Sequence, residues 1–243
     1  MKPVLILQHC HDDGPAFLAT WLRIHSVPFA VMNSQAGDRF PSSMSAYSAL
    51  AVLGGSISAN DPLPSLRQAE YLILESMMQQ LPVIGHCLGG QLMARALGAK
   101  VQGSPGELGW HTIHLTPAGA THFDNIGPCT VFQWHQETFD IPAGAQLLAS
   151  SQACPHQAFS LGPHLALQFH VELDETKLLD WVHELEAKPT LDGYVSVQSP
   201  QAILDQARIA ISTQQCLASR LYERWLSGLS NPERLLGKGA FTP

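Results

Sequence analysis

The stretch Val83-Ile84-Gly85-His86-Cys87-Leu88-Gly89-Gly90-Gln91 constrains the fold of this chain more than any other. Two apolar β-branched residues run into Gly85, and Cys87 follows after one intervening residue. A helix-like segment from Leu88 to Leu97 then ends at Gly98, with Leu88, Gln91, Leu92, Ala96 and Leu97 as candidates for one face. Gly-x-Cys-x-Gly is the cysteine form of a nucleophile elbow, a sharp strand-to-helix turn. Such a turn forces its central residue into strained backbone angles, so its neighbours must be small where the chain passes close to the sheet. It also sets the cysteine at a helix N-terminus, where free N–H groups and the positive dipole end favour a thiolate. Taken alone, the pattern fits equally a buried cysteine in a strand–helix turn with glycines kept for packing.

The segments around the elbow point to an open α/β sheet. Val4–Leu7 and Ala49–Leu53 are short continuous apolar runs, as expected for strands buried on both faces. Phe29–Met32 reads as a further strand, and Ala16–His25 as a helix opened by Gly14-Pro15. Leu66, Ala69, Ile73 and Met77 recur at helical spacing within Leu63–Gln80, and Pro82 stops that helix before the elbow strand. Alternating buried strands and helices predict a mostly parallel sheet with right-handed crossovers, whose sites lie beyond the carboxyl ends of strands. Gly54-Gly55-Ser56 and Cys87 both fall there.

Beyond Gly98 the texture shifts to short, closely spaced strands expected to pair antiparallel: Trp110–Leu115, Thr130–Trp134 and Gln146–Ser150, with a turn at Thr116-Pro117-Ala118-Gly119. Leu165–His170 reads as another buried strand, and Asp174 as the cap of a helix reaching Glu186. The expected organisation is a domain over residues 1–186, a linker over 187–198 (Lys188–Val197 in the main) and a C-terminal helical extension over 199–243 packed on the same domain. A long helix from Ser199 to Leu229 carries that extension through Ile203, Ala207, Ala210, Leu217, Leu221 and Trp225.

His170-Val171-Glu172 supplies partners for the cysteine. Residues two apart on an extended segment share a side, so the carboxylate can fix the imidazole tautomer and leave its other nitrogen free for a nucleophile. A matching His-x-Glu makes the packing-only reading of Cys87 a poor one.

Together Gly54-Gly55-Ser56, Gly85-His86-Cys87-Leu88-Gly89-Gly90-Gln91, Phe132-Gln133-Trp134-His135 and Gln168-Phe169-His170-Val171-Glu172 resemble the class I (triad) glutamine amidotransferase family. The stretches Gln133–Phe139 and Cys154–Phe159 look closest to stand-alone members related to the glutaminase domain of GMP synthetase. Coverage runs from Val4 to Leu185, and Val171 stands where the family usually has proline. The resemblance implies a flavodoxin-like class I amidotransferase fold with Cys87 as nucleophile, His170 as base and Glu172 as its orienting group. It further implies an oxyanion hole from the backbone N–H groups of Gly55 and Leu88. Gly54, Gln91, Trp134 and His135 would be substrate-binding positions, with no cofactor and no metal. The substrate would be glutamine, with ammonia passed to an acceptor site on a separate synthetase subunit. A γ-glutamyl peptide or conjugate hydrolase using the same triad is an alternative, as is a non-catalytic regulatory subunit that keeps the fold.

Remaining features are blander. Glu107, in Glu107-Leu108-Gly109-Trp110, resembles a family segment but reads as a surface carboxylate. His9-Cys10-His11 with Asp12 and Asp13 reads as a polar loop, because neighbours on a strand alternate faces and no second cluster has zinc-like spacing. A formal charge of −7 shows no basic footprint for nucleic acid or anionic lipid. No apolar run approaches the roughly 20 residues of a membrane span. Five widely spaced cysteines (Cys10, Cys87, Cys129, Cys154 and Cys216) fit a reducing cytoplasm better than a disulfide framework.

Overall fold

The computed structural model describes residues 2–124, 127–187 and 194–227, with backbone only at 194 and 195. Four strands form the parallel half of the sheet: β1 (Val4–Gln8), β2 (Phe29–Asn33), β3 (Ala49–Val52) and β4 (Val83–His86). β1 pairs with β2 on one side and β3 on the other, and β3 pairs with β4, all in parallel. The crossovers carry α1 (Ala16–Ile24) after β1, α2 (Pro64–Met78) after β3 and α3 (Leu88–Ala96) after β4.

Strand alternation explains the two-layer core. Val4, Ile6, Ala49 and Ala51 face one side with Leu18 and Leu22 of α1, while Leu5, Leu7, Leu50 and Val52 face the other with Leu66, Ile73 and Leu92 of α2 and α3. Each fully buried Leu or Ile contributes about 1.5–3 kcal/mol relative to exposure. That return from both faces is why these strands read as unbroken apolar runs.

The second half is antiparallel. β5 (Val101–Leu115) pairs with β6 (Cys129–Phe139) and, at its far end, with β7 (Gln146–Ser150). β7 pairs with β8 (Ala158–Leu161), and β8 pairs with β9 (His164–Leu167). β9 then returns to the parallel half by pairing with β4, which sets the elbow strand beside the segment that leads into His170.

Several expectations need correction. Residues 187–198 are not simply a linker: Tyr194–Val197 form β10, which pairs in parallel with β5 through Ser196 at Glu107 and Val197 at Leu108. Residues 188–193 lie outside the described residues. The strand before the His-x-Glu ends at Leu167, so His170 and Glu172 sit in the turn that follows it. Their spacing works through that turn rather than through strand alternation. Thr116-Pro117-Ala118-Gly119 opens a short helix, α4 (Pro117–His122), with the Thr116 hydroxyl accepting from Gly119 N–H at 3.0 Å. β5 begins nine residues before the expected Trp110, because its first half is paired by β6 and β10 rather than read from alternation alone.

α5 (Glu175–Ala187) follows the turn, with Asp174 accepting from Lys177 N–H at 2.9 Å as the sequence suggests. α6 (Pro200–Leu226) is the long final helix; the expected end at Leu229 lies outside the described residues. It buries Leu217, Leu221, Tyr222 and Trp225 in the same core layer as α1, and Ile203 and Ala210 against α5 and Trp110. No described helix is long and apolar enough to cross a membrane.

Candidate active site

Cys87 links β4 to α3 with φ 46° and ψ −108°, a positive φ that a side chain rarely adopts. Such strain costs on the order of 1–3 kcal/mol and persists because the surroundings leave no alternative. The glycines explain how. A Cβ on Gly85 would lie 2.6 Å from Gly89 O, one on Gly90 2.6 Å from Leu167 O, and one on Gly89 would run into Val52 O. The first turn of α3 is therefore pressed onto β3, β4 and β9, and only glycine permits that approach. Cys87 N–H donates to Leu167 O at 2.8 Å, which fastens the elbow to β9.

The turn after β9 brings His170 and Glu172 to the elbow. Nδ1 of His170 lies 2.7 Å from Glu172 Oε1, leaving the other ring nitrogen to the Cys87 thiol. Burial opposes a charge on His170, yet the Glu172 carboxylate and the hydrogen-bonded Cys87 outweigh it and raise the imidazole to about 10. The buried Glu172 carboxylate thus favours an imidazolium facing the Cys87 thiol. Burial likewise opposes charge on Glu172, but the Lys177 ammonium and His170 hold its carboxyl well below the usual range. Glu172 is fully buried, and its second oxygen lies 3.9 Å from Nε2 of His86. Burial keeps His86 itself neutral by lowering its pKa.

Cys87 and His170 open on a cavity of about 200 Å³ that Gly55 and Ser56 also line. Gly55 packs against Leu88, the first residue of α3: a Cβ there would sit 3.1 Å from Leu88 Cδ2. The two residues expected to supply the oxyanion hole are therefore neighbours beside the nucleophile. Gly54 cannot carry a side chain, since its Cβ would meet the Asp13 carboxylate and come within 2.9 Å of His170 Cε1. Trp134 lines the cavity, and its carbonyl accepts from Cys87 Sγ at 3.8 Å.

Two of the expected substrate contacts turn inward. His135 follows Trp134 on β6, so alternation sends it to the opposite face, where Nε2 lies 3.3 Å from Glu107 Oε2. It does not line the cavity with Trp134. Glu107 is not a surface carboxylate but is buried, accepting from Ser151 Oγ at 2.7 Å and Gln157 Nε2 at 2.6 Å. Gln91 is buried as well, donating to Glu137 O at 3.1 Å and to Gln168 Oε1 at 3.4 Å, while Gln168 reaches Cys87 Sγ at 3.6 Å. Its contact with Cys87 passes through Gln168.

The structure also adds residues that the sequence left unassigned. α5 presents Lys177, Trp181 and Glu184 at i, i+4 and i+7: Lys177 reaches Glu172, and Trp181 and Glu184 line the cavity. The Trp181 ring stands edge-on to His170 at 4.8 Å, and its Nε1 donates to Asp12 O at 3.1 Å. Asp12 and Asp13 join Glu184 in the lining, so the loop read as merely polar gives the cavity an acidic side. From α6, Gln214 accepts from Phe132 N–H at 2.8 Å and donates to His170 O at 2.9 Å. Helical spacing of Lys177 and Trp181 just after His-x-Glu was the available signal for the first two. Nothing in the sequence marked Gln214.

Two sets of donor atoms lie within 4.8 Å of one another, Asp13–His170–Glu172 and Glu107–His135–Cys154. In the first, Lys177 occupies the space between the carboxylates. In the second, Ser151, Gln157 and Thr138 already take up the polar atoms. In both sets the donor atoms are already engaged with a protein cation or with protein hydrogen bonds, so neither is laid out as an open metal site.

Comparison with known proteins fits this geometry. The family model described as glutamine amidotransferase class-I matches residues 22–179. A glutamine amidotransferase-like protein of Salmonella typhimurium, YfeJ, is 31% identical over 182 residues, covering 71% of this chain and 76% of its own. A glutamine-hydrolyzing GMP synthase of Streptococcus mutans is 34% identical over 104 residues, 40% of this chain but 20% of the synthase. Among solved structures, a glutamine amido transferase of Methylobacillus flagellatus superposes with a TM-score of 0.88 at 33% identity, covering 94% of this chain and 95% of that one. One from Thermotoga maritima superposes at 0.82 with 27% identity, covering 92% and 97%. A Cys elbow and a His-x-Glu turn meeting across parallel strands, together with these matches, lead to one statement of identity: the chain belongs to the class-I glutamine amidotransferase family.

Proposed function

We propose that the chain hydrolyses the side-chain amide of glutamine through a Cys87 thioester, with His170 and Glu172 completing the triad. The observation that carries this reading is the positive-φ Cys87 facing a His170 whose far nitrogen is fixed by Glu172 at the edge of a small cavity. The Cys87 thiolate adds to the amide carbon, and the developing oxyanion is held by the N–H groups of Leu88 and Gly55. Each such donor is worth about 2.7–4 kcal/mol of barrier. His170 gives its proton to the amide nitrogen, the C–N bond breaks, and ammonia leaves. Water then adds to the thioester while His170 takes its proton, and the sulfur departs as thiolate with release of glutamate.

The acidic side of the cavity, where Asp12 and Glu184 stand beyond the Lys177-paired Asp13, suits the α-ammonium of a glutamyl group. The relatives named as GMP synthases couple such a site to a longer chain, which supports a separate acceptor subunit for the ammonia.

Glutamate release by the purified protein and by Cys87→Ala tests the reading, with γ-glutamyl dipeptides run in parallel. Turnover of glutamine should fall to background in the variant, by a factor on the order of 10⁴ or more. Turnover of dipeptides alone would replace glutamine with a γ-glutamyl peptide as substrate. If neither is cleaved and a glutamine-analogue alkylator leaves Cys87 unlabelled, the chain is a non-catalytic subunit.

A further inference from the structure

Beside the triad lies a charge cluster that amide hydrolysis does not itself require. Glu172 and Asp13 are both buried, and the Nζ of buried Lys177 lies between them. Nζ donates to Asp13 Oδ1, to Glu172 Oε1 at 3.0 Å and to Gly14 O at 3.0 Å, so its three protons have three acceptors. The oxygen it takes on Glu172 is the one that holds His170 Nδ1. Asp13 in turn lies against Gly54, on the loop that also carries Gly55.

Two buried carboxylates sharing one small space cannot both stay ionised without a counter-charge, because like-charge repulsion and desolvation drive one of them to take a proton. The remaining groups around Glu172 are ill suited to the task. His86 is held neutral by burial, Tyr222 of α6 carries no positive charge, and the single charge of His170 faces Glu172 alone and leaves Asp13 without a partner. Building on the triad reading above, we propose that Lys177 is a positioning residue of the active site. It supplies the counter-charge that Asp13 and Glu172 share, keeps Glu172 an ionised acceptor aimed at His170 Nδ1, and ties the Gly54–Gly55 loop to the triad through Asp13.

The consequence is a specific pattern of loss and rescue. Removing the ammonium leaves two buried carboxylates to share a proton. Glu172 then supports the imidazolium less, and alkylation of Cys87 should fall off at a higher pH than in the wild type. Removing the Asp13 charge as well leaves a single carboxylate facing His170, and the alkylation at low pH should return.

The test follows iodoacetamide alkylation of Cys87 in the full chain from pH 4 to 9, read by peptide mass mapping because other free cysteines are present. In Lys177→Met the acid limb should move up by at least one pH unit, about a tenfold slower reaction at any pH well below the wild-type limb. In the pair Lys177→Met with Asp13→Asn it should move back toward wild type. Glutamine turnover should follow the same order, falling about 10–100-fold in the single variant, the range seen when an orienting partner of a metal-bound histidine is removed.

A single variant that folds and keeps the wild-type limb overturns the proposal. So does a double variant no better than the single, since Lys177 would then matter for packing alone. If Lys177→Met does not fold, a folded double variant with a near-wild-type limb supports the charge role, and one that is unfolded or has lost the limb overturns it. A wild-type Cys87 that iodoacetamide does not reach sinks the triad reading itself, and the role of Lys177 with it.

Discussion

His170 concentrates the electrostatics of the candidate site, and its raised pKa has a consequence for stability. Its imidazolium is favoured in the folded state up to about 10, against 6.5 for the free side chain. The stabilisation is therefore fully present below pH 6.5 and is lost as pH rises through about 10. Glu172 acts in the opposite sense: its carboxyl is held below the usual range, so its contribution is present above about pH 4.5 and lost on acidification. Urea midpoints should accordingly decline between pH 7 and 10 in the wild type and decline less in His170→Gln. Parallel slopes in the two proteins would mean that His170 is not charged in the folded state.

At the scale of elements, α6 ties the second half of the molecule to the turn that carries His170 and Glu172. Gln214 is fully buried and clamps the N–H of Phe132 on β6 to the carbonyl of His170. Gln198 does the same for Trp110 on β5, accepting from its N–H at 2.9 Å and donating to its carbonyl at 3.0 Å. Gln214→Leu leaves a buried donor and a buried acceptor unpaired, each costing about 1–3 kcal/mol. The variant should show a lower denaturation midpoint and a lower kcat on glutamine, because the backbone that aims His170 is released. Unchanged turnover with lowered stability would assign Gln214 to packing alone. α6 is thus built into the same core as the strands that carry the site, and β10 extends the sheet beside β5.

The whole molecule carries a liability toward acid in its buried histidines. Burial lowers His164 on β9 to about 4, and it lowers His9 at the end of β1 to about 4 against the opposing pull of Asp13. Both folded-state values lie below the free 6.5, so the unfolded chain binds protons first and stability is lost as pH falls from 6.5 toward 4. For His164 the loss amounts to about 2 kcal/mol by pH 5. His164→Leu should lose less of its urea midpoint between pH 7 and pH 5 than the wild type does. An equal loss in both would place the acid sensitivity elsewhere.

Local chemistry in the sequence determined the parallel half of the fold and the three triad candidates. Apolar runs buried on both faces declare themselves as strands, and Gly85, Gly89 and Gly90 around Cys87 declare a turn that no other residues could pack. His170 and Glu172 were legible because they lie two residues apart, although a turn rather than a strand joins them. Tertiary structure decided the rest, because it depends on which distant segments come to share a space. The inward turn of His135 and Glu107 is set by the pairing of β5 with β6, with Glu107 opposite His135. The strand within residues 194–197 exists because β5 offers it an edge, since four residues cannot hold an extended conformation on their own. Asp13, Lys177 and Glu172 lie 164 and five residues apart along the chain, and only folding reveals that one ammonium serves both carboxylates. Short-range pattern encodes the backbone turns and periodicities, while the partners of a buried charge are fixed by packing, where desolvation makes each pairing obligatory.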